Sequence, residues 1–130
     1  MFRLQVERTF RATHAIVIDG VLEDQHEHDW RVRVRVSGPR LDGDGLLCDF
    51  HLLEQALDAI LEPLHGRSLN DTPSFDTVNP TAELVAEHIG TSMLAVIPPG
   101  VFDLEASVTE APGCEATVVL KVPDTAETIH

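Results

Sequence analysis

The stretch His26-Glu27-His28-Asp29-Trp30-Arg31-Val32-Arg33-Val34-Arg35-Val36 decides how this chain folds. Its second half alternates strictly between arginine and valine, and a period of two indicates a β-strand. If the strand begins at His26, then His26, His28 and the alternate apolar residues from Trp30 to Val36 lie on one face. The arginines then lie on the other face. We therefore predict a strand with one buried face and two histidines at its start.

Two imidazoles that are two positions apart on a strand lie side by side and can offer two nitrogens to one metal ion. The segment from Phe2 to His14 alternates in the same way and ends with His14 on its apolar face, so His14 is the best candidate for a third ligand. Three histidines with an open position would describe a catalytic zinc site rather than a structural one. The alternative is a set of half-exposed histidines at a strand edge.

The rest of the chain supplies two helices and two more strands. Asp49 is the expected N-cap of a first helix that stops near His65-Gly66, and Asn79-Pro80-Thr81 is expected to start a second helix, with Asn79 as its cap. Strands are predicted from 101 to 110 and from about 115 to 122. The order β-β-α-α-β-β predicts an α+β fold, a four-stranded antiparallel sheet with two helices on one face. Its two open edges need cover or a partner.

Length and charge limit the kinds of partner. The 130 residues suit one domain at 1–123, followed by a polar C-terminal tail at 124–130. The net charge of −13 disfavours nucleic-acid binding, and the sequence contains no apolar run of ~20 residues that could span a membrane. Without an export signal we expect a cytoplasmic protein in which Cys48 and Cys114 are thiols.

The parity of the third predicted strand places Glu110 on its apolar face, at its end. A carboxylate in that position is costly unless it has a partner. Either the strand has already reached solvent at Glu110, or the carboxylate anchors a ligand that carries two parallel N–H donors.

Six motifs that occur in order resemble the 6-pyruvoyl-tetrahydropterin synthase and 6-carboxytetrahydropterin synthase family, whose members have the tunnelling fold (T-fold). They are Phe10-Arg11-Ala12-Thr13-His14, His26-Glu27-His28, Asp49-Phe50, Leu69-Asn70, Asn79-Pro80-Thr81, and Glu110 with Ala116 six residues later.

The resemblance implies that His14, His26 and His28 hold Zn²⁺ and that Glu110 holds a pterin ring by its amino-pyrimidine edge. It implies a T-fold pterin-binding domain at 1–123. It also implies a barrel-forming homohexamer, a dimer of trimers with active sites between subunits, which would deal with the open sheet edges.

The departures from the family pattern concern the proton-transfer residues. Leu22 stands where the family has its catalytic cysteine, and His65-Gly66 stands where it has an Asp-His pair. Glu23 lies three residues before His26, where a subgroup of the family carries a glutamate. That subgroup is associated with cleaving the side chain of 7,8-dihydroneopterin triphosphate.

The resemblance therefore suggests a zinc-dependent pterin lyase with Glu23 as the base and His65 as a candidate proton partner from a neighbouring subunit. One alternative is that Glu23 belongs to an acidic loop without a role. Another is that the chain is a non-catalytic homologue that binds a pterin or purine-like ligand and has lost the chemistry.

Overall fold

The long strands form the antiparallel sheet that the sequence predicts. The computed structural model describes residues 1–123, so the predicted tail at 124–130 lies outside the described residues. Its four long strands pair antiparallel in chain order. They are β1 (Phe2–His14), β4 (His26–Gly38), β6 (Asp103–Ala111) and β7 (Cys114–Lys121).

The described residues also contain three short strands, of which one joins this sheet. Strand β2 (Val17–Ile18) pairs with β3 (Val21–Leu22) in a separate hairpin, in which Asp19 and Gly20 both have positive φ. That geometry is typical of a type I′ turn. Strand β5 (Arg67–Ser68) pairs in parallel with β1 at Ala12 and Thr13. Its two residues are too few for a periodic signal, and the sequence did not predict it.

Strand β4 lies in the middle of the sheet and forms the centre of the core. Every residue of β4 pairs with β1, from Phe2 opposite Gly38 to His14 opposite His26. The apolar face of β4 is fully buried from Trp30 to Val36. On the other face, Arg35 lies 3.4 Å from Glu105. The helices pack on the buried face, and the described strands form an open sheet within one chain.

Both helices are shorter than the sequence predicts. Helix α1 (Phe50–Leu61) has the expected N-cap, since Asp49 accepts a bond from the His51 N–H. It ends at Leu61 rather than near Gly66, because Pro63 has no backbone N–H with which to continue the helical hydrogen bonds.

Helix α2 (Ala82–Leu94) does not use Asn79 as its cap. Thr81 caps it, through a 3.2 Å bond from the Leu84 N–H to Oγ1 of Thr81. The predicted cap was therefore two residues early, and the Asn79 amide pairs with another part of the chain. Within residues 1–123, no helix has the length and apolar character to cross a bilayer, and Cys48 and Cys114 are free thiols, as predicted.

Candidate metal centre

Strand pairing brings the three predicted histidines together at one end of the sheet. His14 and His26 are register partners in the β1–β4 ladder, and His28 follows His26 on the same face. The ring centroid of His26 lies 4.5 Å from the ring centroid of His14 and 4.5 Å from that of His28. His14 is fully buried, whereas His26 and His28 keep 36% and 21% of their side-chain surface exposed. The cluster can therefore be reached from one side.

Glu110 completes the cluster from the end of β6. Its Oε1 lies 2.8 Å from Nε2 of His14, 3.2 Å from Nε2 of His28 and 3.6 Å from Nε2 of His26. The sequence placed Glu110 on the apolar face at a strand end but did not predict this proximity to the histidines. Glu110 is therefore not at a frayed strand end in free solvent, and it is not an isolated carboxylate.

Main-chain carbonyls fix the tautomers of two of the rings. Nδ1 of His14 lies 2.8 Å from the Pro80 carbonyl oxygen, and Nδ1 of His26 lies 3.1 Å from the Asp24 carbonyl oxygen. A carbonyl oxygen only accepts hydrogen bonds, so each Nδ1 carries the proton. In the neutral ring, Nε2 then presents a lone pair towards Glu110. This arrangement is typical of metal-ligating histidines, and a carbonyl acceptor has no signal in the sequence.

His28 has the clearest requirement for a further partner. Its Nε2 is a buried polar atom that lies 3.2 Å from Oε1 of Glu110 but makes no hydrogen bond among residues 1–123. Burial lowers the pKa of His28 below its usual value. The negative charge of Glu110 raises this pKa by a smaller amount, and the neighbouring His26 and His14 lower it further. The neutral form is the one that binds a metal ion.

The donor set fits a zinc ion. One ligand atom from each of His14, His26, His28 and Glu110 can be chosen so that all four lie within 4.8 Å of one another. In a tetrahedral site with metal–ligand bonds of ~2.05 Å, neighbouring ligand atoms are ~3.3 Å apart. The distances of 2.8–3.6 Å from Glu110 to the three nitrogens bracket that value. A cation would relieve the contact between three lone pairs and a carboxylate.

Glu23 lies beside the centre. Its Oε1 accepts a bond from the Ile16 N–H at 3.1 Å and lies 3.6 Å from Nδ1 of His26. The carboxylate is one-third exposed. It therefore lies on the side of the His26 ring that faces away from Glu110.

His65 is held at a different place in the chain. Its Nδ1 accepts a 3.1 Å bond from the Arg11 N–H, and the Gly66 N–H donates to the Arg11 carbonyl. Arg11 precedes His14 by three residues, about 10 Å along a strand. Among the described residues of one chain, His65 thus caps the edge of β1 and is not part of the cluster of ligand atoms.

A cleft of about 830 Å³ opens next to the centre. Its volume lies in the range that holds small organic ligands. His28 and Glu110 belong to both the cleft and the histidine cluster, and Glu27, Arg31 and Thr109 supply further polar groups. The cleft lies mainly against the arginine face of β4 and borders the histidine cluster at His28 and Glu110.

Comparisons with known proteins agree with this fold. The family model for 6-pyruvoyl tetrahydropterin synthase matches residues 3–120. The structure is similar to that of Caenorhabditis elegans 6-pyruvoyl tetrahydropterin synthase, with 22% identity and a TM-score of 0.72 over 91% of this chain and 96% of that one.

Two further structures extend the comparison. One is Plasmodium vivax 6-pyruvoyltetrahydropterin synthase with alanine in place of a catalytic glutamate, with 19% identity and a TM-score of 0.79 over 93% of this chain and 98% of that one. The other is Burkholderia thailendensis dihydroneopterin aldolase bound to guanine, with 15% identity and a TM-score of 0.53 over 95% and 92%. At these identities the structural matches establish the fold, which is the T-fold.

Proposed function

Because the chain belongs to the 6-pyruvoyl tetrahydropterin synthase family, we propose that it binds a reduced pterin at a zinc ion held by His14, His26 and His28, and that it cleaves the pterin side chain. The observation that carries this proposal is the convergence of three imidazole Nε2 atoms and one carboxylate oxygen next to the cleft. The substrate that we propose is 7,8-dihydroneopterin triphosphate.

The metal would supply Lewis acidity. Held by the three neutral imidazoles, the metal would polarise an oxygen of a bound ligand and stabilise negative charge that develops on it. The tautomers of His14 and His26, fixed by the Pro80 and Asp24 carbonyls, support this role because they leave Nε2 unprotonated in both neutral rings.

Glu110 would bind the pterin ring. A carboxylate can accept two parallel N–H bonds, here from the ring's amino group and the neighbouring ring nitrogen. Glu110 is 24% exposed and lines the cleft, so a ring in the cleft can reach it. The same carboxylate can act as a fourth metal ligand when no pterin is bound, because its Oε1 lies within 3.6 Å of all three imidazole nitrogens.

Glu23 is the proposed general base. It lies next to His26 and is partly exposed, as a residue that exchanges protons with a ligand must be. A glutamate is a catalytic residue in the Plasmodium vivax enzyme, as the alanine variant of that protein records. His65 would take part only from a neighbouring subunit, because its Nδ1 is bonded to Arg11 within its own chain.

The proposed assembly is a homohexamer, a dimer of trimers. Strand β7 and the Phe2–Arg11 part of β1 have no strand partner on their outer edges within residues 1–123. Exposed edges of this length are normally covered, and pairing with another copy would cover them while closing a barrel.

Metal analysis combined with a product assay tests the proposed function. The purified protein should contain about one zinc per chain, and it should convert 7,8-dihydroneopterin triphosphate to 6-hydroxymethyl-dihydropterin, identified by mass spectrometry. Glu23→Gln should retain zinc and lose ~10²–10⁴-fold in rate, the usual contribution of a general base. Tight pterin binding without turnover would instead favour the non-catalytic alternative, and the absence of both zinc and pterin binding would refute the proposal.

A further inference from the structure

The segment Ala15-Ile16-Val17 leaves the sheet directly after His14 and has an unusual set of partners. Both main-chain polar groups of Ala15 bond to one side chain, because Oδ1 of Asn70 accepts from the Ala15 N–H at 2.9 Å and Nδ2 of Asn70 donates to the Ala15 carbonyl at 2.8 Å. The Asn70 amide therefore pairs with Ala15 as a neighbouring strand would.

Asn79 makes the same pair of bonds with Val17. Its Oδ1 accepts from the Val17 N–H at 2.7 Å, and its Nδ2 donates to the Val17 carbonyl at 3.0 Å. Between these two residues, the Ile16 N–H donates to the Glu23 carboxylate, and the Ile16 carbonyl accepts from the Glu23 N–H at 3.0 Å. All six main-chain polar groups of the segment are thus paired through three residues, Asn70, Glu23 and Asn79.

Only an amide side chain of this length can form these pairs. Asparagine offers one acceptor and one donor side by side, whereas ionised aspartate offers two acceptors and would place an oxygen against a carbonyl oxygen. Leucine has a similar size but would leave an N–H and a carbonyl of the segment without partners.

We propose that Asn70 and Asn79 are positioning residues of the metal centre, which clamp Ala15-Ile16-Val17 and thereby hold His14 in place for metal binding. This inference rests on the proposed function in so far as it requires the metal site. The proposal explains why Asn79 does not cap α2, which begins three residues later.

His14 is held by the same loops at a second point. The Pro80 carbonyl that accepts from Nδ1 of His14 follows Asn79 directly in the chain. Asn79-Pro80 therefore fixes both the His14 ring and the strand that leaves it, while Asn70 fixes the residue next to His14. If the clamp is loosened, Nε2 of His14 loses its alignment with the nitrogens of His26 and His28.

The test compares amide-to-carboxylate variants. Asn70→Asp and Asn79→Asp should each weaken zinc affinity by about 10–100-fold, as loss of a residue that orients a ligand typically does. Each should also change the visible spectrum of bound Co²⁺, which depends on ligand geometry. Gln25→Glu is the matched control, because it makes the same chemical change beside the site, where Gln25 bonds to Ser68 rather than to Ala15 or Val17.

The affinity would be measured by chelator competition on folded protein, verified by circular dichroism. If both asparagine variants fold and keep wild-type zinc affinity and Co²⁺ spectrum, the asparagines are structural only and the inference is wrong. If the wild-type protein itself binds no zinc, the proposed function fails together with the inference. If wild type and both variants bind zinc with equal affinity, the inference is wrong but the proposed function is not affected.

A second measurement covers the case in which the variants do not fold. Coupling between two sites is reciprocal, so a clamp that aids metal binding must itself be tightened by the metal. In the wild-type protein, zinc should slow hydrogen exchange of the amides of Ala15 and Val17, detected by mass spectrometry of peptides that cover residues 15–17. Exchange in this segment that does not respond to zinc would overturn the inference.

Discussion

Replacing His28 with alanine should remove the stabilisation of the protein by zinc. Nε2 of His28 is buried and lacks a hydrogen-bond partner among the described residues. It lies 3.2 Å from Oε1 of Glu110, and a zinc ion bound by both atoms would satisfy it. A ligand that binds only the folded state at 100 times its Kd stabilises that state by ~2.7 kcal/mol. For a chain of this length, the melting temperature should rise by roughly 8–14 °C.

If the loss of the His28 side chain lowers the zinc affinity 100-fold, zinc at the same free concentration would stabilise the folded state by only ~0.4 kcal/mol. The Tm of His28→Ala should then rise by less than about 2 °C. The metal-free variant should melt within a few degrees of metal-free wild type, because the change also removes an unpaired buried nitrogen.

Two observables would follow the transition, circular dichroism and the fluorescence of Trp30. Trp30 is the single tryptophan, and its ring centroid lies 4.9 Å from that of His14 and 5.9 Å from that of His28. The control is His51→Ala, because the His51 side chain is 84% exposed and its loss should leave the zinc effect intact. An unchanged melting temperature of wild type in zinc, or an equal rise in His28→Ala, would refute the reasoning.

Three further predictions concern the ligand, the pH dependence and the assembly. Glu110→Gln should weaken neopterin binding at least ~10-fold in a fluorescence titration, since hydrogen bonds to a charged group contribute ~1.5–3 kcal/mol; equal affinity would remove Glu110 as the ring anchor. Burial lowers the pKa of His88, so between that pKa and ~6.5 the unfolded chain binds a proton that the folded chain does not. The stability of metal-free protein should therefore fall as the pH drops below ~6.5, and urea unfolding should show a smaller fall for His88→Gln; an identical pH dependence would count against this origin. Light scattering at micromolar concentration should give a mass near six times 14.3 kDa, whereas a clean monomer would exclude the shared active site.

The histidine cluster could be predicted from sequence because strand geometry is strictly periodic. His26 and His28 share a face by their spacing, and His14 shares the apolar parity of β1. When two long strands pair antiparallel, the end of the first lies beside the start of the second. The three histidines at these two ends were therefore expected to lie close together, and they do.

The partners of these histidines could not be predicted in the same way. The carbonyls of Pro80 and Asp24 orient two rings, but every residue has a carbonyl and the sequence does not mark which one is used. Asn79 shows a second limit, because the same side-chain amide suits a helix cap or a main-chain pair. Only the position of Val17 in three dimensions decided in favour of the pair.

His65 shows how a residue can match a motif position without its chemistry. It follows Leu64 where the family carries an aspartate, and in one chain its ring accepts a bond from the Arg11 N–H. The family resemblance suggested a proton partner at this position, whereas the contact with Arg11 follows the early end of α1 and the short pairing of β5 with β1. Its proposed part in proton transfer requires a second copy.

The most direct test of the central claim is a zinc-edge anomalous difference map from crystals that contain zinc and neopterin. We predict one peak per chain, ~2.0–2.1 Å from Nε2 of His14, His26 and His28, with the amino-pyrimidine edge of the pterin against Glu110. A zinc peak elsewhere with none among these three histidines, or a pterin bound away from Glu110, would contradict the account.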